Sequence, residues 1–219
     1  MTKPRFLTLS IEEIANTVTH GFGLLLSIAG FIFLVSLASV EGDIRQLISS
    51  LIYGSSLVVL YAASTFYHGA TSPQMKRRLQ VVDHCCIYLL IAGSYTPFIL
   101  IVLRDSFGQS FFAFVWLFAL VSIILKIVFG AKYPIITVLS YLLMGWIGVF
   151  AVQPLLAALG FMPVALLVAG GGAYTLGIIF FAWKSLPHNH AIWHLFVLAG
   201  SFCHFLAISI YVIPYAVKV

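Results

Sequence analysis

Seven continuous apolar runs, each near the length that crosses a bilayer as a helix, leave this chain few ways to fold. In hydrocarbon every backbone amide and carbonyl must find its partner inside the protein, so only helices and closed barrels span a membrane. The runs do not alternate apolar with polar, which argues against a barrel. Composition agrees: 62% of the 219 residues are hydrophobic and 8% charged, too little charge to clothe a soluble domain. The chain is expected to be an all-α, seven-transmembrane helix bundle. That bundle accounts for residues 1–219 as a single integral membrane domain, with 1–15 as an N-terminal interfacial segment and 16–219 holding the spans.

The spans run from about Asn16 to Ser39, Gln46 to His68, Leu79 to Leu103, Phe111 to Phe129, Pro134 to Leu159, Met162 to Trp183 and His190 to Tyr215. The weakest boundary is the fifth to sixth, where Gln153, Pro154, Gly160 and Pro163 give little polar separation. Ser10 and Glu13 have capping-box spacing, so a helix is expected to begin near Ile11, lie at the interface and lead into the first span. Glu12, Glu13 and Asn16 ahead of the first apolar run argue against a cleaved signal peptide. Pro97 should bend the third span, and Gly170, Gly171 and Gly172 should permit close helix approach or a kink in the sixth. Cys85, Cys86 and Cys203 lack metal-type spacing and are assigned to packing.

Basic residues set the orientation. With seven spans, the N-terminus and the loops after spans two, four and six share one side. That side holds Lys3, Arg5, Lys76, Arg77, Arg78, Lys132 and Lys184, with Lys126 nearby. The other side has Arg45, Arg104 and Lys218. The N-terminus is therefore expected in the cytoplasm and the C-terminus outside. A net charge of +5 spread over loops in this way is no nucleic-acid signal.

That topology brings several chemistry-bearing groups to one membrane level. Span two ends there with Ser64 and His68, span three begins there with Asp83 and His84, and span seven begins there with His190 and His194. Asp83 is the sole acidic residue assigned to the interior of a span. A histidine at a span end is ordinary when it stands alone; the arrival of these groups at one depth points to a metal. Residues four apart on a helix share a face, so His190 and His194 can reach one ion, and His68 supplies a third nitrogen. Three neutral imidazoles with an open fourth position make the donor set of a catalytic zinc. Asp83 is then best kept off the metal, as the group that deprotonates the attacking water, with Ser64 one turn before His68 to orient it. Zinc brings the pKa of bound water to about 7, so attack on an amide or ester carbonyl follows.

The other histidines fit less well. His204 lies ten residues past His194, about 15 Å along a helix, and should bond another span instead. His84 points about 100° away from Asp83. His188 precedes the helix and is expected in solvent. His20, with Glu13 and Asn16, is expected to form a supporting polar cluster under the site.

In order along the chain stand E-x-x-N-x-x-x-H (Glu13, Asn16, His20), S-x-x-x-H (Ser64, His68), Asp83 at the head of an apolar span, and H-x-x-x-H (His190, His194). This ordered set resembles the hemolysin III family of bacterial membrane proteins, over the whole chain. That family is related to the progestin and adipoQ receptors and more distantly to alkaline ceramidases. The resemblance implies a seven-span bundle with zinc near the cytoplasmic face, held by His68, His190 and His194. It implies that Asp83 and Ser64 support the metal-activated water, and that relatives hydrolyse the amide of ceramide-like lipids. The long N-terminal soluble region of the animal receptors has no counterpart, so hormone binding is not carried over. A short, loop-poor chain of this kind suits a bacterial inner membrane.

The expected function is that of a zinc-dependent hydrolase of a lipid amide or acyl bond, with a membrane lipid as its substrate or ligand. The alternative is a non-enzymatic regulator or receptor of membrane state, with zinc as a structural tie between spans. A pore-forming cytolysin is disfavoured by the multi-span sequence, and a transporter by the lack of further buried acids to extend a proton path from Asp83.

Overall fold

The computed structural model describes residues 9–41 and 43–218. Among these residues there is no strand, and seven helices are long and apolar enough to cross a membrane. They are α1 (Ile11–Glu41), α2 (Ile44–Gly69), α3 (Pro73–Pro97), α4 (Ser106–Phe129), α5 with α6 (Pro134–Trp146 and Val152–Leu159), α7 (Phe161–Ala182) and α8 (Asn189–Ala207). A 3-10 segment, Ile147–Ala151, joins α5 to α6 as one span. Lys3 and Arg5, used above for orientation, lie outside the described residues.

The helix ends follow local chemistry. Asp43 caps α2 with a full capping box: its carboxylate accepts the amides of Arg45 and Gln46, and the Gln46 side-chain oxygen accepts the Asp43 amide. Asp105 caps α4 by accepting the Gly108 amide at 2.9 Å. Pro73 opens α3, and the basic stretch through Arg78 is helical, so this helix begins six residues before the apolar run expected from Leu79. Lysine and arginine propagate a helix well, and hydropathy alone cannot see that. The uncertain fifth-to-sixth junction is set by Gly160, whose φ of 81° needs no side chain.

Ser10 accepts the Glu13 amide as a cap should, and α1 begins at Ile11 and runs unbroken into the first span, as the capping-box spacing predicts. At Pro97 the chain passes into a widened turn, Phe98–Val102, with the Leu103 amide bonded to the carbonyl of Phe98, five residues back. Proline has no N–H to give to the usual ladder, and the wider turn takes up the mismatch. Span seven contains a second such turn, Ile208–Val212.

Spans two and three are more than half buried, span seven somewhat less, and spans one, four, five and six mostly present side chains outward. Exposed Leu25, Ile135 and Phe150 are typical of that outer ring, which suits contact with lipid. The three inner spans are the ones that carry Ser64, His68, Asp83, His190 and His194. The centre of the bundle is thus also its polar part. Gly170 lets α7 and α8 come together, because a methyl group there would run into the His204 ring and the Gly200 carbonyl.

Candidate metal centre

His68 ends α2, and His190 and His194 occupy the first turns of α8. Each offers one ring nitrogen, and these three atoms lie within 4.8 Å of one another. The ring centroids form a near-equilateral triangle, at 4.8 Å (His68–His190), 5.1 Å (His68–His194) and 4.7 Å (His190–His194). Interplanar angles of 65°, 71° and 81° set the rings edge-on to one another.

The sequence around α8 fixes this geometry. His188 adopts φ 56° at the helix start, and Asn189 turns back to donate to the carbonyls of Phe180 and Phe181 at 3.2 and 2.9 Å. One amide side chain thereby satisfies the end of α7 and sets the start of α8. Asn189 carries no signal in the sequence beyond its polarity.

The outer ring nitrogens are held by the protein. His68 Nδ1 donates to Glu13 Oε2 at 2.6 Å, and the other Glu13 oxygen pairs with Lys76 Nζ at 2.9 Å. Thr19 Oγ1 lies 3.0 Å from His194 Nδ1. The Thr19 hydroxyl already donates to the carbonyls of Ala15 and Asn16, so here it accepts, and His194 carries its proton on Nδ1. Both tautomers leave Nε2 with its lone pair. The Nε2 atoms of His68, His190 and His194 are buried with no hydrogen-bond partner among the described residues. Buried polar atoms are rarely left so, and a metal satisfies all three at once. The donor set fits a divalent ion such as zinc.

His20 lies within this cluster and not beneath it. Its ring stacks on His194 with centroids 3.4 Å apart, and its Nδ1 is 2.7 Å from Ser64 Oγ. The sequence placed Glu13 and His20 near the site but could not assign either its partner. Ser64 stands between His20 and the buried Asp83. The Lys126 ammonium reaches Thr137 Oγ1 at 3.5 Å. His84 lines the same cavity as Asp83 despite the angle between them on the helix. His204 bonds the Leu167 carbonyl of α7 at 3.3 Å, the link to another span expected of it.

Beside the histidines lies a cavity of ≈ 300 Å³. It starts at His20, Asp83, His84 and His190 and continues past Trp193, Tyr174 and His204 to Leu103, Phe111 and Val164. Nearly all of its wall is apolar.

A family model described as "Haemolysin-III related" matches residues 9–205. The chain is similar to "Hemolysin-3" of Bacillus cereus, 44% identical over 205 residues and 94% of each chain. It is similar to "Hemolysin-3 homolog" of Bacillus subtilis (strain 168), 43% identical over 91% of this chain and 94% of the relative. "Monocyte to macrophage differentiation factor" of Homo sapiens is 31% identical over 93% of this chain and 86% of its own length.

Proposed function

The chain belongs to the haemolysin III family of membrane proteins, and from that premise we propose that it is a zinc-dependent hydrolase of a lipid amide or related acyl bond. One observation carries this: three buried imidazole nitrogens without partners converge at one point, and one of the three histidines, His190, lines an apolar cavity together with the buried Asp83.

His68, His190 and His194 would hold a zinc ion, which would supply Lewis acidity toward a carbonyl and a water nucleophile near neutral pH. The chain's own residues do the rest. The cavity takes the acyl chain and keeps bulk water from the carbonyl. Asp83 accepts the proton of the attacking water and returns it to the leaving nitrogen or oxygen as the acyl bond breaks. Ser64, held by His20, orients the water against that carbonyl. Glu13 and Thr19 keep two imidazoles in the tautomer and angle that binding requires. Lys76, Arg77, Arg78, Lys132 and Lys184 support a cytoplasmic position for this end of the bundle, in a bacterial inner membrane.

The second reading is a regulator or receptor of membrane state in which zinc is structural. It is favoured by the Glu13 bridge, which already ties α1 to α2 and α3 through His68 and Lys76. The test begins with elemental mass spectrometry of purified protein beside a His190→Ala/His194→Ala variant. About one zinc per chain, lost in a folded variant, is expected. Protein prepared without chelators and free of metal would sink the hydrolase. Lipid amides are then screened against Asp83→Asn: a hydrolase loses turnover and keeps its metal, whereas a structural site shows no turnover to lose.

A further inference from the structure

The cavity beside the metal centre is walled almost entirely by hydrocarbon, yet a histidine stands in that wall far from the metal. His204 lies near the middle of span seven, beyond His194 and about 15 Å further along α8. An imidazole at that depth is costly unless its polar atoms find partners. Other polar groups of the wall are already used: the hydroxyls of Ser94, Tyr95, Tyr141 and Thr175 each donate to a backbone carbonyl.

Two glycines and a short run of hydrogen bonds build the place where this ring sits. Gly170 leaves the space that the His204 ring fills, and Gly200 leaves the space for Tyr174; a methyl group at either would strike the ring. Tyr174 pairs with Ser201 Oγ at 3.0 Å, and Tyr61 donates to the same oxygen at 2.8 Å. Tyr174 in turn meets His204 edge-on, with centroids 5.5 Å apart, and both rings line the cavity. His204 Nε2 lies 3.3 Å from the Leu167 carbonyl oxygen. A carbonyl can only accept, so the neutral ring carries its hydrogen on Nε2 and a lone pair on Nδ1. That Nδ1 makes no hydrogen bond to the described residues and, unlike the metal-facing nitrogens, is not sealed inside the protein.

The bond to Leu167 accounts for one ring nitrogen and gives no reason for the other. We propose that His204 reads the chain of the bound lipid: its Nδ1 accepts a hydroxyl carried about 15 Å from the group at the metal. The favoured ligand is then a lipid hydroxylated far along its acyl chain, and a plain chain is the poorer fit. A chain without the hydroxyl leaves the acceptor unpaired in a dry wall, which is how a polar site rejects an apolar analogue. This inference rests on the reading that the cavity holds an acyl chain with its carbonyl end at the histidines; it requires no turnover.

The test uses the full-length protein in lipid nanodiscs and measures displacement of radiolabelled stearic acid. One competitor is stearic acid with a hydroxyl on its twelfth carbon, which stands about that far from the carboxyl. The other is the methyl ether of that hydroxyl, which accepts a hydrogen bond but cannot donate one. On wild type the hydroxy acid is expected to displace the label at about tenfold lower concentration than the ether, the worth of one neutral hydrogen bond. In His204→Phe and His204→Leu the two competitors are expected to become equal, because neither side chain offers a lone pair. Variants are scored in preparations with the wild-type elution profile, and either one suffices. Equal displacement on wild type overturns the proposal, as does a preference that survives in a folded variant. Wild type that binds no stearic acid overturns it too. The preference is read without metal or turnover, so the hydrolase can fail while this inference stands, and the reverse.

Discussion

Glu13 Oε2 accepts His68 Nδ1 at 2.6 Å, and this bond joins the first turn of α1 to the last turn of α2. It settles which nitrogen of His68 faces inward. Lys76 holds the second carboxylate oxygen, so Glu13 cannot turn away without breaking two contacts.

Replacing Glu13 by glutamine keeps the shape and removes the charge that orients His68. Metal affinity is expected to fall about 10–100-fold, the usual effect of losing a carboxylate behind a metal-bound histidine. Competition against a graded series of chelators reads this directly. Unchanged affinity would place the Glu13–His68 bond outside metal binding.

Asp83→Asn separates turnover from binding. If Asp83 moves the proton, the variant holds wild-type metal and its rate drops about 10²–10⁴-fold on any lipid amide that the wild type cleaves. An unchanged rate removes Asp83 from the chemistry.

His20→Ala takes away both the stack on His194 and the partner of Ser64. A loss of about 1–3 kcal/mol of stability is expected from the buried hydrogen bond and ring packing removed together. Thermal unfolding in detergent measures it, and a Tm equal to wild type would show that neither contact contributes to stability.

The glycines of α7 give a matched pair. Gly170→Ala drives a methyl group against the His204 ring and the Gly200 carbonyl, and should cost about 1–3 kcal/mol. A methyl at Gly172 meets nothing within 4 Å, so Gly172→Ala should leave Tm unchanged or slightly raised. Equal effects at the two sites would contradict the close approach of α7 and α8.

The sequence by itself determined the seven spans, because apolar length and backbone hydrogen bonding are properties of each segment alone. It also brought His68, His190 and His194 to one depth, since alternating spans fix which ends share a level. Rotation about each helix axis and the choice of neighbour are different matters. They depend on how side chains from distant segments pack, and no periodicity within one segment encodes them. The tertiary structure alone therefore decided that Glu13 meets His68, that His20 stacks on His194 beside Ser64, and that Asp83 and His84 share one cavity wall. The same holds for Tyr61: only the tertiary structure brings its hydroxyl to Ser201 of α8, where Tyr174 of α7 meets the same oxygen.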